Sequence, residues 1–295
     1  RERVVLVGDH RQLPQLLDDS LVPKLSARHD QSVVSTVLNR SMFERLFVKL
    51  REAERVDGTK RVITLDQQFR MHPILGSFLN EQFYAPFGEH LGNGNPDSST
   101  FVHGLERYGA SACGWIDVPA SRGPEQPAGT SIHRLPEAQV IAQELSIALR
   151  ASDELTFGVI TFYSGQRDAI WKALSDAGLA SRRDRNFELN PSVPWLHTWQ
   201  GLPRVRIGSV DAFQGREFDV AFLSTTRSSK PSRRNRFGFL VLPNRLCVAM
   251  SRQRKLLIVV GDAAQITSPE GREAVPALAA FYDLTGGLHG FRREA

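Results

Sequence analysis

The sequence predicts an α/β fold in which a parallel sheet carries helices on both faces, and three observations support this. Apolar runs of strand length recur at residues 4–7, 62–65, 114–118, 157–162, 205–210, 220–224 and 256–260. Most are continuous rather than alternating, as strands read when both faces of a sheet are covered. Helical patterns lie between them, and strand-helix alternation favours parallel strands joined by right-handed crossovers.

Taken in order, the chain opens on the strand-like "VVLV", which runs into Gly8, Asp9 and Gln12. A helical pattern follows at residues 41–51, then the strand-like "RVITL" and a helix over 73–83 entered through Pro73. The run at 114–118 precedes a helix at 136–149, where Ala138, Ile141, Leu145, Ala148 and Leu149 form one apolar stripe behind Pro136. Residues 157–162 lead into a helix at 165–177. The runs at 205–210 and 220–224 flank a polar link, and a helix at 244–254, with Asn244 as its cap, precedes the run at 256–260. Segments 92–100, 119–131, 181–203 and 228–236 read as loops from their Gly, Pro, Ser and Asn content. The last carries Lys230, Arg233, Arg234 and Arg236.

Composition bounds the function. A length of 295 residues suggests two domains, and 41% apolar with 23% charged residues is ordinary for a globular chain. No apolar run approaches the roughly 18 residues a membrane helix needs. The charged Arg-Glu-Arg start, leading into a strand, argues against a signal peptide. It also reads as a cut from a longer protein. Cys113 and Cys247 are far apart and give neither a disulfide framework nor a metal pair, which suits a reducing, intracellular setting. The net charge of +5 suits a polyanionic partner.

Five stretches carry chemistry. At the carboxyl ends of parallel strands, side chains face the crevice where ligands bind. Gly8 lets the backbone turn there, Asp9 orders the loop, and Gln12 presents an amide that both donates and accepts. In "LDQQFRMHP", Gln68 and Arg70 follow a strand, and arginine offers forked donors to a phosphate. His72 has no second ligand at metal-binding spacing. In "FGVITFYSGQ", Thr161 and Tyr163 set hydroxyls beside an aromatic that can stack on a base. The link "SVDAFQGRE" places Ser209, Asp211, Gly215 and Glu217 between two core strands, with more polar positions than a turn requires. In "RLCVAMSRQ", Arg252 is a second candidate for the cleft of Arg70.

In this order, "GDHRQLP", "QFRMHP", "VITFYSGQ", "SVDAFQGREFDV" and "RLCVAMSRQ" resemble motifs III to VI of the superfamily 1 RNA and DNA helicases. The subgroup is the one that includes the nonsense-mediated-decay helicase. "SMFERL" and "FLNEQFY" also read like it, and the match runs over about residues 4 to 266.

The resemblance implies a RecA-like fold. It further implies ATP and Mg²⁺ held between two domains, with single-stranded DNA or RNA crossing their top. Gln12 would sense the γ-phosphate, Arg70 and Arg252 would be arginine fingers, and Gln68, Gly215 and Glu217 would face the nucleotide. Thr161, Tyr163, Ser209 and Asp211 would lie near the nucleic acid. Residues 1–58 would be the end of the first RecA-like domain, 59–268 the second, and 269–295 a tail. The location would be the cytoplasm, or the nucleus in a eukaryote.

The pattern is incomplete. Cys247 and Ser251 stand where the last motif has Asn and Thr, and no G-x-x-x-x-G-K-[ST] phosphate loop occurs. No strand ends in the Asp-Glu pair that holds Mg²⁺, because Asp153-Glu154 precedes a strand. Both elements are expected upstream, in a first RecA-like domain of the same protein, so the chain alone is not expected to hydrolyse ATP. The alternative is a non-catalytic nucleic-acid-binding module that kept the fold.

Overall fold

The computed structural model describes residues 4–13, 24, 27, 41–184, 186–229 and 235–295. The chain divides into two units between Asp66 and Gln67, eight residues beyond the boundary expected at 58.

In the first unit, helix α1 (Met42–Asp57) begins where the Ser41 hydroxyl accepts the Glu44 N–H, and it ends at Gly58, whose φ of 69° is left-handed. Neither residues 4–7 nor residues 62–65 form the strands their composition predicts. Val4, Val5, Val7, Ile63 and Leu65 are each more than 75% exposed. A strand is stable only when a neighbour satisfies its backbone and covers its side chains. No ladder among the described residues includes these two segments.

The second unit is built on six parallel strands: β1 (Cys113–Asp117), β2 (Phe157–Thr161), β3 (Val205–Ser209), β4 (Phe218–Ser224), β5 (Gln253–Gly261) and β6 (Gly290–Glu294). Their spatial order is β6-β1-β5-β4-β2-β3. Side chains alternate between two buried layers, which is why the runs read as continuously apolar. Val159, Val220, Phe222, Leu256, Ile258 and Val260 join one core with Ile141, Leu145 and Leu149 of α3 (Leu135–Ala151) and Ile170 and Leu174 of α4 (Ser164–Asp176). On the other face, Trp115 meets Tyr282 edge-on at 5.3 Å between ring centroids, and Phe281 meets Phe78 at 5.4 Å. Tyr282 and Phe281 belong to α8 (Pro276–Leu284), and Phe78 to α2 (Pro73–Leu79).

Segment 269–295, expected as a tail, is therefore part of the fold. It supplies α7 (Pro269–Ala274), α8 and the edge strand β6, which pairs with β1. Its helices follow α6 (Ala263–Thr267), which Asp262 caps. The helix expected at 244–254 is also shorter. It runs as α5 (Pro243–Ala249), opened by Pro243 rather than capped by Asn244, because Gln253 already pairs with Phe218 in the sheet. Arg252 thus sits in the turn before β5, not on a helix face. The loop expected at 181–203 contains a short antiparallel pair, Ala180–Arg183 with Asn186–Leu189. Lys230, Arg233 and Arg234 of the basic loop lie outside the described residues.

The polar link also has a structural reason for its length. β3 and β4 are parallel and separated by β2, so the residues between Ser209 and Phe218 must return the length of a strand and pass a neighbour. At about 3.3 Å per residue and about 4.8 Å per strand spacing, two to four residues are too few.

Candidate functional site

Because every strand points the same way, the sheet has two chemically distinct edges. The predicted residues of the second unit divide between them.

Where β4 and β5 begin, Arg70, Glu217 and Arg252 come together. Arg70 Nε donates to Glu217 Oε2 at 2.9 Å, and its Nη1 donates to the Ser251 carbonyl at 3.1 Å. Arg252 is buried. Its Nε donates to the Val248 carbonyl at 2.9 Å and its Nη2 to the Ser251 hydroxyl at 2.6 Å. The Phe218 N–H donates to the Arg252 carbonyl at 2.9 Å, which locks the two strand starts together. Glu217 also faces Arg254 at 4.0 Å, so one half-exposed carboxylate lies between two guanidiniums. Gly215 has φ of 73° and open space where a Cβ would stand.

Gln68 shapes this edge from beneath. Its Oε1 accepts the backbone N–H groups of Arg70 and Met71, while its Nε2 donates to the Met71 carbonyl and to Asn93. Its amide is committed to the turn that presents Arg70. His72 caps α2, its Nδ1 accepting the Ile74 N–H, and burial together with nearby His289 holds the imidazole below its ordinary value. Phe69, which was not singled out in the sequence, is 67% exposed beside Arg70 and lies so close over Gly94 that a Cβ there would fall 2.2 Å from the ring. The available signal was its position between Gln68 and Arg70.

Gln12 belongs to the first unit, where its Nε2 donates to Asp9 Oδ2 at 2.8 Å and Asp9 Oδ1 accepts the Arg11 N–H.

At the opposite edge, where β2, β3 and β4 end, Thr161 is fully buried with its hydroxyl 3.3 Å from that of Thr226. Tyr163 is buried too, and its phenol oxygen accepts the Phe239 N–H at 3.0 Å. Ser209 ends β3, half-buried, and Asp211 pairs with Arg245 at 3.3 Å. Beneath them lies a buried polar layer: Glu137 Oε1 accepts from the Ser224 hydroxyl at 2.6 Å and the Thr226 N–H at 2.8 Å, with Arg134 3.5 Å from its other oxygen. Desolvation pushes the Glu137 carboxyl up to about 6.

A parallel α/β sheet with arginines from distant motifs gathered at one edge is the RecA-like fold of the helicase class. A family model described as an AAA domain matches residues 38–264, and the chain belongs to that family. The chain is 30% identical over 274 residues to the Regulator of nonsense transcripts 1 homolog of Neurospora crassa, an alignment covering 88% of this chain and 20% of that protein. It is 30% identical over 264 residues to the ATP-dependent helicase upf1 of Schizosaccharomyces pombe, covering 88% and 24%. It is 32% identical over 268 residues to Regulator of nonsense transcripts 1 of Dictyostelium discoideum, covering 89% and 17%. The chain thus spans about a fifth of the length of the curated relatives it matches, and it is similar to the C-terminal half of a superfamily 1 helicase core.

Proposed function

We propose that this chain is the second RecA-like half of an ATP-dependent helicase or translocase that moves on single-stranded DNA or RNA. The observation that carries the reading is the meeting of Arg70 and Arg252 on Ser251 beside Glu217. Two guanidiniums held by backbone and hydroxyl oxygens form a preorganised set of donors for a polyphosphate, the arrangement that stabilises charge developing on a transferred phosphoryl group.

In this reading Glu217 balances Arg70 until phosphate takes its place, and Gly215 leaves room for a nucleotide to approach the backbone. Phe69 offers a flat face next to Arg70. Among the described residues no group of three or more His, Cys, Asp or Glu suits a metal ion. On the family resemblance, we propose that the Mg²⁺ ligands and the phosphate loop belong to a further RecA-like domain of the same protein. The link between β3 and β4 begins beside the proposed strand path at Ser209 and Asp211 and ends at Glu217, so it joins the two edges.

The test is hydrolysis of ATP by the whole protein with and without single-stranded nucleic acid. The reading requires stimulated turnover there and none by the 295-residue chain alone. Robust Mg-dependent turnover by the chain alone would refute the division of labour.

A further inference from the structure

Two of the residues expected to meet nucleic acid, Thr161 and Tyr163, are buried and hydrogen-bonded. What the surface offers in their place is Phe239, 44% exposed, in the run between β4 and α5. Its ring lies 5.3 Å from that of Tyr163 at an interplanar angle of 35°, and its backbone N–H is fixed by the Tyr163 oxygen. The Arg245 guanidinium stands 5.2 Å over the same ring and is steered by Asp211. From Arg227 to Arg245 the sequence holds six basic residues, counting both ends with Lys230, Arg233, Arg234 and Arg236, and no Asp or Glu.

We infer that Phe239 is a base-stacking platform for a single-stranded nucleic acid. Tyr163 acts as its positioning residue, and Arg245 supplies charge to the neighbouring phosphate. The inference rests on the strand-binding reading above and adds to it a residue and a contact. Within this stretch Arg227 is buried against Glu125 and Arg236 faces Glu270, so the charge beside the ring is that of Arg245. A flat π face with a guanidinium at it matches the two repeating features of a single strand: bases with π faces and phosphates at regular intervals. The ring needs no hydrogen bond to a base edge, so binding through it is tolerant of sequence.

The test is titration of a single-stranded oligonucleotide carrying 2-aminopurine, followed by fluorescence and by anisotropy. It uses the whole protein and, in parallel, the 295-residue chain. Phe239→Ala is expected to weaken affinity about tenfold, the loss of one stack. Phe239→Leu, which keeps apolar area without a π face, should behave like Ala, and Phe239→Trp should retain binding. The slope of log affinity against log salt should be unchanged in Phe239→Ala and shallower by about 1 in Arg245→Gln. Wild-type affinity and fluorescence change in both Phe239→Ala and Phe239→Leu would overturn the inference while leaving strand binding intact. So would equal displacement by polyglutamate, which marks a surface that reads charge alone. Failure of the wild type to bind any strand would instead overturn the reading beneath it.

Discussion

Arg70 and Arg252 share Ser251 as a partner: Arg70 donates to its carbonyl and Arg252 to its hydroxyl. Arg70 and Ser251 stand 181 residues apart, and the Ser251 hydroxyl in turn donates to the Val248 carbonyl at 3.2 Å. One serine in the turn before β5 thereby links the two cations.

Replacing Ser251 with Ala removes the hydroxyl that accepts from Arg252 Nη2, leaves the Val248 carbonyl on its Nε, and keeps the carbonyl that accepts from Arg70. A hydrogen bond to a charged group contributes about 1.5–3 kcal/mol, so nucleic-acid-stimulated kcat of the whole protein should fall about tenfold or more. Ser251→Thr keeps the hydroxyl and should restore most of it. Steady-state kinetics on the pair of variants decides, and equal loss in both would point to packing instead.

Arg70 and Glu217 form a pair about a third and a half exposed, so the pair itself adds little to stability, under about 1 kcal/mol. Glu217→Ala should leave the unfolding midpoint nearly unmoved and lower KM for ATP, because the carboxylate that phosphate displaces from Arg70 is gone. Thermal unfolding beside ATP titration tests this, and a large stability loss with unchanged KM would assign Glu217 to the fold alone.

Glu137 and Arg134 are fully buried at the strand-end edge. Glu137→Ala removes the carboxylate beside the buried Arg134 guanidinium, which keeps its bonds to the Gly123 and Pro119 carbonyls, and strands the Ser224 and Thr226 donors; it should cost roughly 3–5 kcal/mol in urea unfolding. A change below about 1 kcal/mol would show that water or rearrangement replaces the carboxylate.

His72 is held neutral in the fold, where its Nδ1 accepts the Ile74 N–H at 3.2 Å. The unfolded imidazole protonates near 6.5 and the folded one resists. Stability is therefore full above that value and declines as pH falls below it, and buried His103, also held low, acts in the same direction. His72→Asn keeps a capping oxygen without titrating, so its Tm should fall less between pH 6.5 and about 5 than that of the wild type. Identical slopes would exclude His72 as a source.

Five strands of the sheet were legible because two-sided burial writes an unbroken apolar run, as in residues 256–260. The edge strand β6, "GFRRE", was not, because an edge strand with polar side chains carries no such run. Residues 4–7 and 62–65 failed the other way: composition supplied the strand signal, but no ladder pairs them among the described residues. Arg70, Glu217 and Arg252 were readable from motif order, whereas Ser251 as their shared anchor depends on a turn that helical periodicity had continued through residue 254. Thr161 and Tyr163 were recognisable as strand-end residues, but a sequence does not say which side of the surface a hydroxyl ends on.

The most direct test of the central claim is nucleic-acid-stimulated ATP turnover by the whole protein carrying Arg70→Ala, Arg252→Ala or both. If the two guanidiniums serve one triphosphate, each single change should lower kcat by about 10³ or more, and the double variant should fall little further than the worse single. Normal turnover in either single variant would contradict the account.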